Sequence, residues 1–319
     1  MKTAKRILTV ALALMLIFAL AAPSFALQTT GYVPVLNGAP YYIQGADSLY
    51  EMDGTFTVYL SMYTGIYDGV GPVDTVVPVT MGSTGATDVK YTVAQVLAAA
   101  QSQYSGVVFD TSTPDPTHYH SSYLYGVEIT ASNVTVSYNA LPLKYNNNYY
   151  YCGWMFRING MIPFYTHTVD GESVTEGCLI SDAYVTANDV IDLYYDNMYT
   201  QSLATKAYTV KYVGKTLGTP TFQVLGTESY VNSSGENWTV TNWAKVTNST
   251  MTVKIDGVSY SVTTDSNGKF TKTGLSSGTH TIQIQSASYS TAFSYTDGDN
   301  VSHSYKVPAY VGMYSRFSI

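Results

Sequence analysis

Two histidines separated by one residue, His118 and His120, place two imidazoles on one side of an extended segment with Asp115 nearby, a spacing that zinc accepts. Pro114 and Pro116 mark the same segment as an exposed loop, which is the reading adopted, and no metal is assigned. Asp265-Ser266-Asn267-Gly268 opens like a calcium loop but lacks the bidentate Glu that would close it, so it reads as an Asx turn with Gly268 at positive φ. Among the carboxylates Asp182, Asp189, Asp192 and Asp196, the pair Asp192 and Asp196 flanks a strand and reads as a solvated edge. No Gly-x-Ser-x-Gly motif is present, and neither cysteine has a catalytic context. These residues point away from an enzyme and imply no cofactor.

The remaining constellation is aromatic. Tyr149 to Asn197 holds Tyr149, Tyr151, Trp154, Phe156, Phe164, Tyr194 and Tyr195 together with both cysteines. In a strand, Cys152, Trp154, Phe156 and Ile158 share one face, and Tyr149, Tyr151, Met155 and Arg157 share the other. The first set is the expected core, because burying Trp and Phe contributes several kcal/mol. The second set is expected outside, and Tyr149, Tyr151, Arg157 and Tyr194 are the candidate ligand-binding residues.

The elements that must position these residues are mostly strands. Residues 27–54 form an irregular lead-in rich in Gly, Pro, Asn and Tyr, and Thr55 to Met62 alternates apolar and polar side chains as a half-buried strand. A second short strand at Thr75 to Thr80 contains Pro78 and is therefore confined to an edge or a loop. Tyr91 to Ser102 is the one helix, with Thr92 as N-cap and Val93, Val96, Leu97 and Ala100 on one face. Asn159-Gly160 predicts a two-residue type I′ hairpin, and Asp170-Gly171 a second turn. Residues 214–220, with two glycines and a proline, read as a linker closing a first unit at 55–213. Beyond it, 221–319 alternates Thr/Ser-rich short strands with turns and predicts a β-sandwich.

Composition fixes the compartment. Lys2, Lys5 and Arg6 precede an apolar run ending in Pro23-Ser24-Phe25-Ala26, so residues 1–26 read as a signal peptide of bacterial type. Without its three basic residues, 12 Lys and Arg face 22 Asp and Glu, a net charge of about −10. Such a balance disfavours nucleic acid and anionic membrane surfaces, and no later segment is apolar enough to insert as a helix. All 31 Tyr lie beyond the leader while only 12% of residues are charged, so the surface relies on Tyr, Thr, Ser and Asn for adaptable contacts. Cys152 and Cys178 in an exported chain are expected to form a disulfide, which would stabilise by about 3 kcal/mol, with two buried thiols as the alternative. Five Asn-x-Ser/Thr sites, Asn133, Asn232, Asn237, Asn248 and Asn300, would carry glycans only in a host with that machinery.

Three segments together carry a family pattern. Tyr91-Thr92-Val93-Ala94-Gln95-Val96-Leu97, Gly153-Trp154-Met155-Phe156-Arg157-Ile158-Asn159-Gly160, and Asn188-Asp189-Val190-Ile191 with Tyr194-Tyr195 resemble the DUF4430 family, similar to the C-terminal β-domain of transcobalamin and intrinsic factor. The resemblance covers roughly residues 55–212 and implies an α+β domain. Asn188 stands where that family usually has Gly, and the large helical domain that completes the corrinoid site of the vitamin carriers is absent. Thr263-Thr264-Asp265-Ser266-Asn267-Gly268-Lys269-Phe270 and Gly274-Leu275-Ser276-Ser277-Gly278 resemble the carboxypeptidase-regulatory and prealbumin-like sandwiches, which implies a spacer or stabilising role for the second unit.

The expected protein is therefore mainly β with one helix: an α+β DUF4430-like domain followed by an Ig-like or prealbumin-like β-sandwich. Its expected role is non-catalytic binding or adhesion, secreted or held non-covalently at a bacterial cell surface, with an extracellular protein or a glycan as partner. A corrinoid-type small molecule is the first alternative and a secreted enzyme the second.

Overall fold

The computed structural model describes residues 41–46, 49–52, 54–69, 71–82, 89–111, 124–131, 134–139, 141–145, 148–197, 206–231, 237–285, 289–296, 299–308 and 310–319. Residues 1–26, read from sequence as a signal peptide, most of 27–54 and the His118/His120 segment lie outside these residues. The fold is mainly β, with one α-helix among the described residues, and its sheets include a sandwich-like pair.

β1 (Phe56–Tyr63) turns Phe56, Val58, Leu60 and Met62 into a core and Thr57, Tyr59, Ser61 and Tyr63 to the opposite face. β2 (Asp74–Met81) pairs antiparallel with β1 and ends its sheet, so Pro78 sits on an edge strand, where a missing N–H breaks no ladder. α1 (Val93–Gln103) begins at the expected cap. Thr92 accepts from the Gln95 N–H, the Gln95 side chain accepts from the Thr92 N–H, and Val93, Val96, Leu97 and Ala100 are buried.

β3 (Leu141–Tyr145) and β4 (Asn148–Ile158) are antiparallel neighbours. Asn159-Gly160, at φ 52° and 78°, turns β4 into β5 (Ile162–Val169), and Asp170-Gly171, at 50° and 86°, makes the next turn. β6 (Val190–Asn197) lies between β4, antiparallel, and β1, parallel. The first core gathers side chains of β1, β2, β4, β6 and α1. Trp154 and Phe156 pack against it half-buried and Ile158 is fully inside, as strand parity predicts.

β7 (Lys206–Thr216) and β8 (Thr219–Val231) form a hairpin whose turn is Leu217-Gly218, at φ 48° and 79°. The expected linker at 214–220 is thus a tight turn between two long strands, because a linker and a hairpin turn draw on the same Gly- and Pro-rich composition. β7 joins the sandwich.

β9 (Thr250–Ile255), β10 (Val258–Thr263) and β11 (Thr279–Ile284) build the facing sheet. Val210, Phe222 and Val224 meet Val253, Ile255, Ile282 and Ile284 in a second core.

The C-terminal strands run across the expected division at 221. β12 (Tyr289–Thr296) pairs with β3, and β13 (Ser302–Pro308) pairs with β12 and with Ile66–Tyr67. Phe293 and Tyr305 enter the first core. β14 (Tyr310–Gly312) and β15 (Tyr314–Ser318) then return to the two sandwich sheets. The first sheet therefore has the order Ile66–Tyr67, β13, β12, β3, β4, β6, β1, β2. Pairing with β12 covers an edge of β3 that would otherwise lie open.

Candidate functional site

Side chains of the two turns that bracket the central stretch lock it in register. Asn159 donates through Nδ2 to Asp189 Oδ1 at 2.8 Å, and Asn159 Oδ1 accepts the Val190 N–H at 2.9 Å. Asp189 Oδ2 takes the Thr186 N–H at 2.7 Å. Asn188 adopts φ 68°, a left-handed conformation that Asn tolerates.

This register sets Arg157 opposite Asp192 and Met155 opposite Tyr194. The face they share was expected to lie open, and the structure corrects that: Arg157 is 2% exposed and Tyr194 3%. Ala207, Val311 and Met313 from the second half of the chain cover it, together with Tyr63, and Met155 packs against the same cluster. A large apolar and aromatic face gains by such cover. Arg157 and Tyr194 are thus brought together, but inside a seam and not on a platform. Tyr149 and Tyr151 lie on β4 opposite Lys144 and Pro142, and their side chains lie outside the described residues. Cys178 is buried and donates its N–H to the Pro163 carbonyl at 2.9 Å, whereas the side chain of Cys152 lies outside the described residues.

Polar groups thread the seam. Asp192, fully buried rather than a solvated edge, accepts the Tyr314 N–H at 3.0 Å and lies beside Ser61. Burial pushes its carboxyl up to about 7, against the pull of the Tyr314 N–H, Ser61 and Arg157. Ser61 Oγ donates to the Tyr63 hydroxyl at 2.8 Å. Gln283 Nε2, from β11, donates to Tyr63 and to Asp74 Oδ1, each at 2.8 Å. The chain of contacts from Asp192 to Asp74 therefore joins β6, β1, β11 and β2.

Where this seam reaches the β2 edge it opens into a cleft of about 320 Å³. One wall is the outer face of β1 and β2, with Tyr59, Asp74, Val76 and Pro78. The other is the outer face of the sandwich, with Lys254, Thr281, Gln283 and Tyr314. Tyr59 and Tyr314 stack with centroids 6.0 Å apart, and the Arg316 guanidinium sits 4.7 Å over the Tyr59 ring while donating to Asn188 Oδ1 at 2.8 Å. The cleft thus offers two aromatic rings, an ammonium, a carboxylate, hydroxyls and an amide within one concave surface, chemistry suited to reversible binding of a polar ligand. Sequence reading placed Tyr59 on an outward face but had no signal for the strand from the other half that meets it.

Two further polar groups, Asp265 and His280, hold local structure in the second half. Asp265 Oδ1 accepts the N–H groups of Asn267 and Lys269 at 2.7 and 2.8 Å, and Gly268 has φ 70°, the Asx turn expected. No group of three or more His, Cys, Asp or Glu fit for a metal occurs among the described residues. His280 has a carboxylate and a carbonyl as neighbours, Asp256 Oδ2 at 2.6 Å from Nδ1 and the Ser276 carbonyl at 3.0 Å from Nε2. This arrangement favours imidazolium and raises its pKa.

Fold and cleft define a mainly β protein of two interleaved units with a polar, aromatic groove at their junction. No family model, no curated protein and no solved structure matches the chain.

Proposed function

We propose that this is an exported, non-catalytic binding protein of bacterial surface type, and that the cleft between its two β units takes a protein or glycan partner. The observation that carries this reading is the cleft itself: Tyr59, Tyr314, Lys254, Thr281 and Gln283 converge on a surface that neither core needs. The leader-like sequence at 1–26 and the Tyr-rich, charge-poor composition support export and adaptable surface contacts. The resemblance of 55–212 to the DUF4430 family supports a binding role, and that of the second half to spacer sandwiches supports a positioning one. The corrinoid alternative is not adopted, because Arg157, beside which its pocket was expected, is buried.

The test is a binding screen of the chain beginning at Leu27 against immobilised glycans and peptides. Saturable binding to members of one class is the expected result. Absence of binding to both at tens of micromolar overturns the reading.

A further inference from the structure

The edge of β2 is treated unequally along its length. In an antiparallel pair, backbone groups point alternately toward the partner strand and away from it. Thr80 points away from β1, and the Gln103 side chain satisfies it on both counts: the Thr80 N–H donates to Gln103 Oε1 at 2.9 Å, and Gln103 Nε2 donates to the Thr80 carbonyl at 2.7 Å. Pro78, two residues earlier, has no N–H to offer, and the Tyr104 hydroxyl donates to its carbonyl. Val76 is the next outward position. No described group bonds its N–H or its carbonyl, and Val76 lines the cleft. The chain thus blocks strand pairing at two successive positions and leaves the third open where the groove begins.

The opposite wall adds a charge. Lys254 makes no ion pair with any described carboxylate and faces the same groove, whereas Asp74 is engaged by Gln283. An exposed N–H and carbonyl pair on a strand edge is complementary to an extended peptide backbone, and an unpaired ammonium beside it selects an acidic side chain. A saccharide has no repeating N–H and carbonyl pair to match this edge.

We propose that the cleft binds an extended acidic peptide segment of a partner protein by strand addition at Val76, with a carboxylate of the peptide meeting Lys254. The proposal rests on the cleft being the binding site and selects peptide over glycan.

Pro78 shows that β2 accepts proline at an outward-facing position, so Val76→Pro removes the open N–H while leaving the β1–β2 ladder intact. The experiment probes an array of short immobilised peptides with the chain beginning at Leu27, as wild type, Val76→Pro and Lys254→Glu, with unfolding midpoints checked in parallel. Peptides bound by wild type are expected to be rich in Asp and Glu. They should weaken at least about tenfold with Val76→Pro, and basic peptides should be preferred by Lys254→Glu. Undiminished binding by folded Val76→Pro overturns strand addition. If Val76→Pro fails to fold, unchanged peptide preference in Lys254→Glu overturns the proposal by itself. Binding to glycans alone, abolished by Val76→Trp, also overturns it while keeping the cleft as the site, whereas no ligand of either class overturns both readings.

Discussion

Arg157 donates through Nε to the hydroxyl of Tyr194 over 3.1 Å, with its guanidinium 5.8 Å from the Tyr194 ring centroid and both side chains buried. The contact lies between the first sheet and the strands that cover it, next to Asp192 on β6. Truncation removes a buried stem and the donor to Tyr194. Arg157→Ala is therefore expected to cost about 2–4 kcal/mol in urea denaturation, and Arg157→Met less, because it keeps the apolar stem. A loss below about 1 kcal/mol for Arg157→Ala would show that the guanidinium is solvated rather than held in the seam.

Asp192 gives the seam a pH dependence. Burial raises its folded-state pKa to about 7 from 3.8, so the folded protein holds this proton more tightly than the unfolded chain does. Its contribution is greatest at low pH and is lost as pH rises through 7. His280 acts in the same direction: its pKa is raised by Asp256 and the Ser276 carbonyl, so its contribution is full below about 6.5 and lost above the raised value. Midpoints measured from pH 5 to 8 should fall less steeply for Asp192→Asn and for His280→Gln than for wild type, and least for the double variant. Parallel curves for all four proteins would contradict the assignment.

Two glycines mark places where neighbouring strands approach too closely for a side chain. A Cβ on Gly312 would lie 1.7 Å from the Ile284 carbonyl oxygen, and one on Gly65 would lie 2.2 Å from that of Lys306. Backbone must move in both cases, so Gly312→Ala and Gly65→Ala are each expected to cost about 1–3 kcal/mol or more. Gly82→Ala, with open space around it, is the control and should stay within about 0.5 kcal/mol of wild type. Equal stability of all three variants, read by thermal melting, would refute the close approach.

The helix start is a local device with a local cost. Thr92→Ala removes the side-chain half of the capping box and is expected to destabilise by about 1 kcal/mol, and Thr92→Ser by much less. Denaturant midpoints for the pair check this, and indistinguishable values would place the helix start elsewhere.

Features decided by neighbours in sequence were legible. Thr92 as cap, the buried stripe of α1, the turns at Asn159-Gly160 and Asp170-Gly171, and the Asx turn at Asp265 follow from local backbone chemistry, and the structure has each of them. Strand parity likewise sorted Trp154, Phe156 and Ile158 from Met155 and Arg157. It says which side chains share a face, but not what covers the face. Met313 and Val311, far away in sequence, turned the expected platform into a seam. For the same reason β12 and β13 read as sandwich strands, because alternation alone does not name the sheet a strand joins. The cleft was illegible on both counts, since its two walls come from residues 59–78 and 254–314.

The location of the binding site is tested most directly by filling the cleft. Val76→Trp places an indole between Tyr59 and Lys254, whereas Val169→Trp adds the same side chain at an exposed position outside the cleft lining. With the ligands found in the array screen, titrations should show binding lost in Val76→Trp and kept in Val169→Trp, at matched unfolding midpoints. Equal affinity of both variants would place the partner elsewhere on the protein.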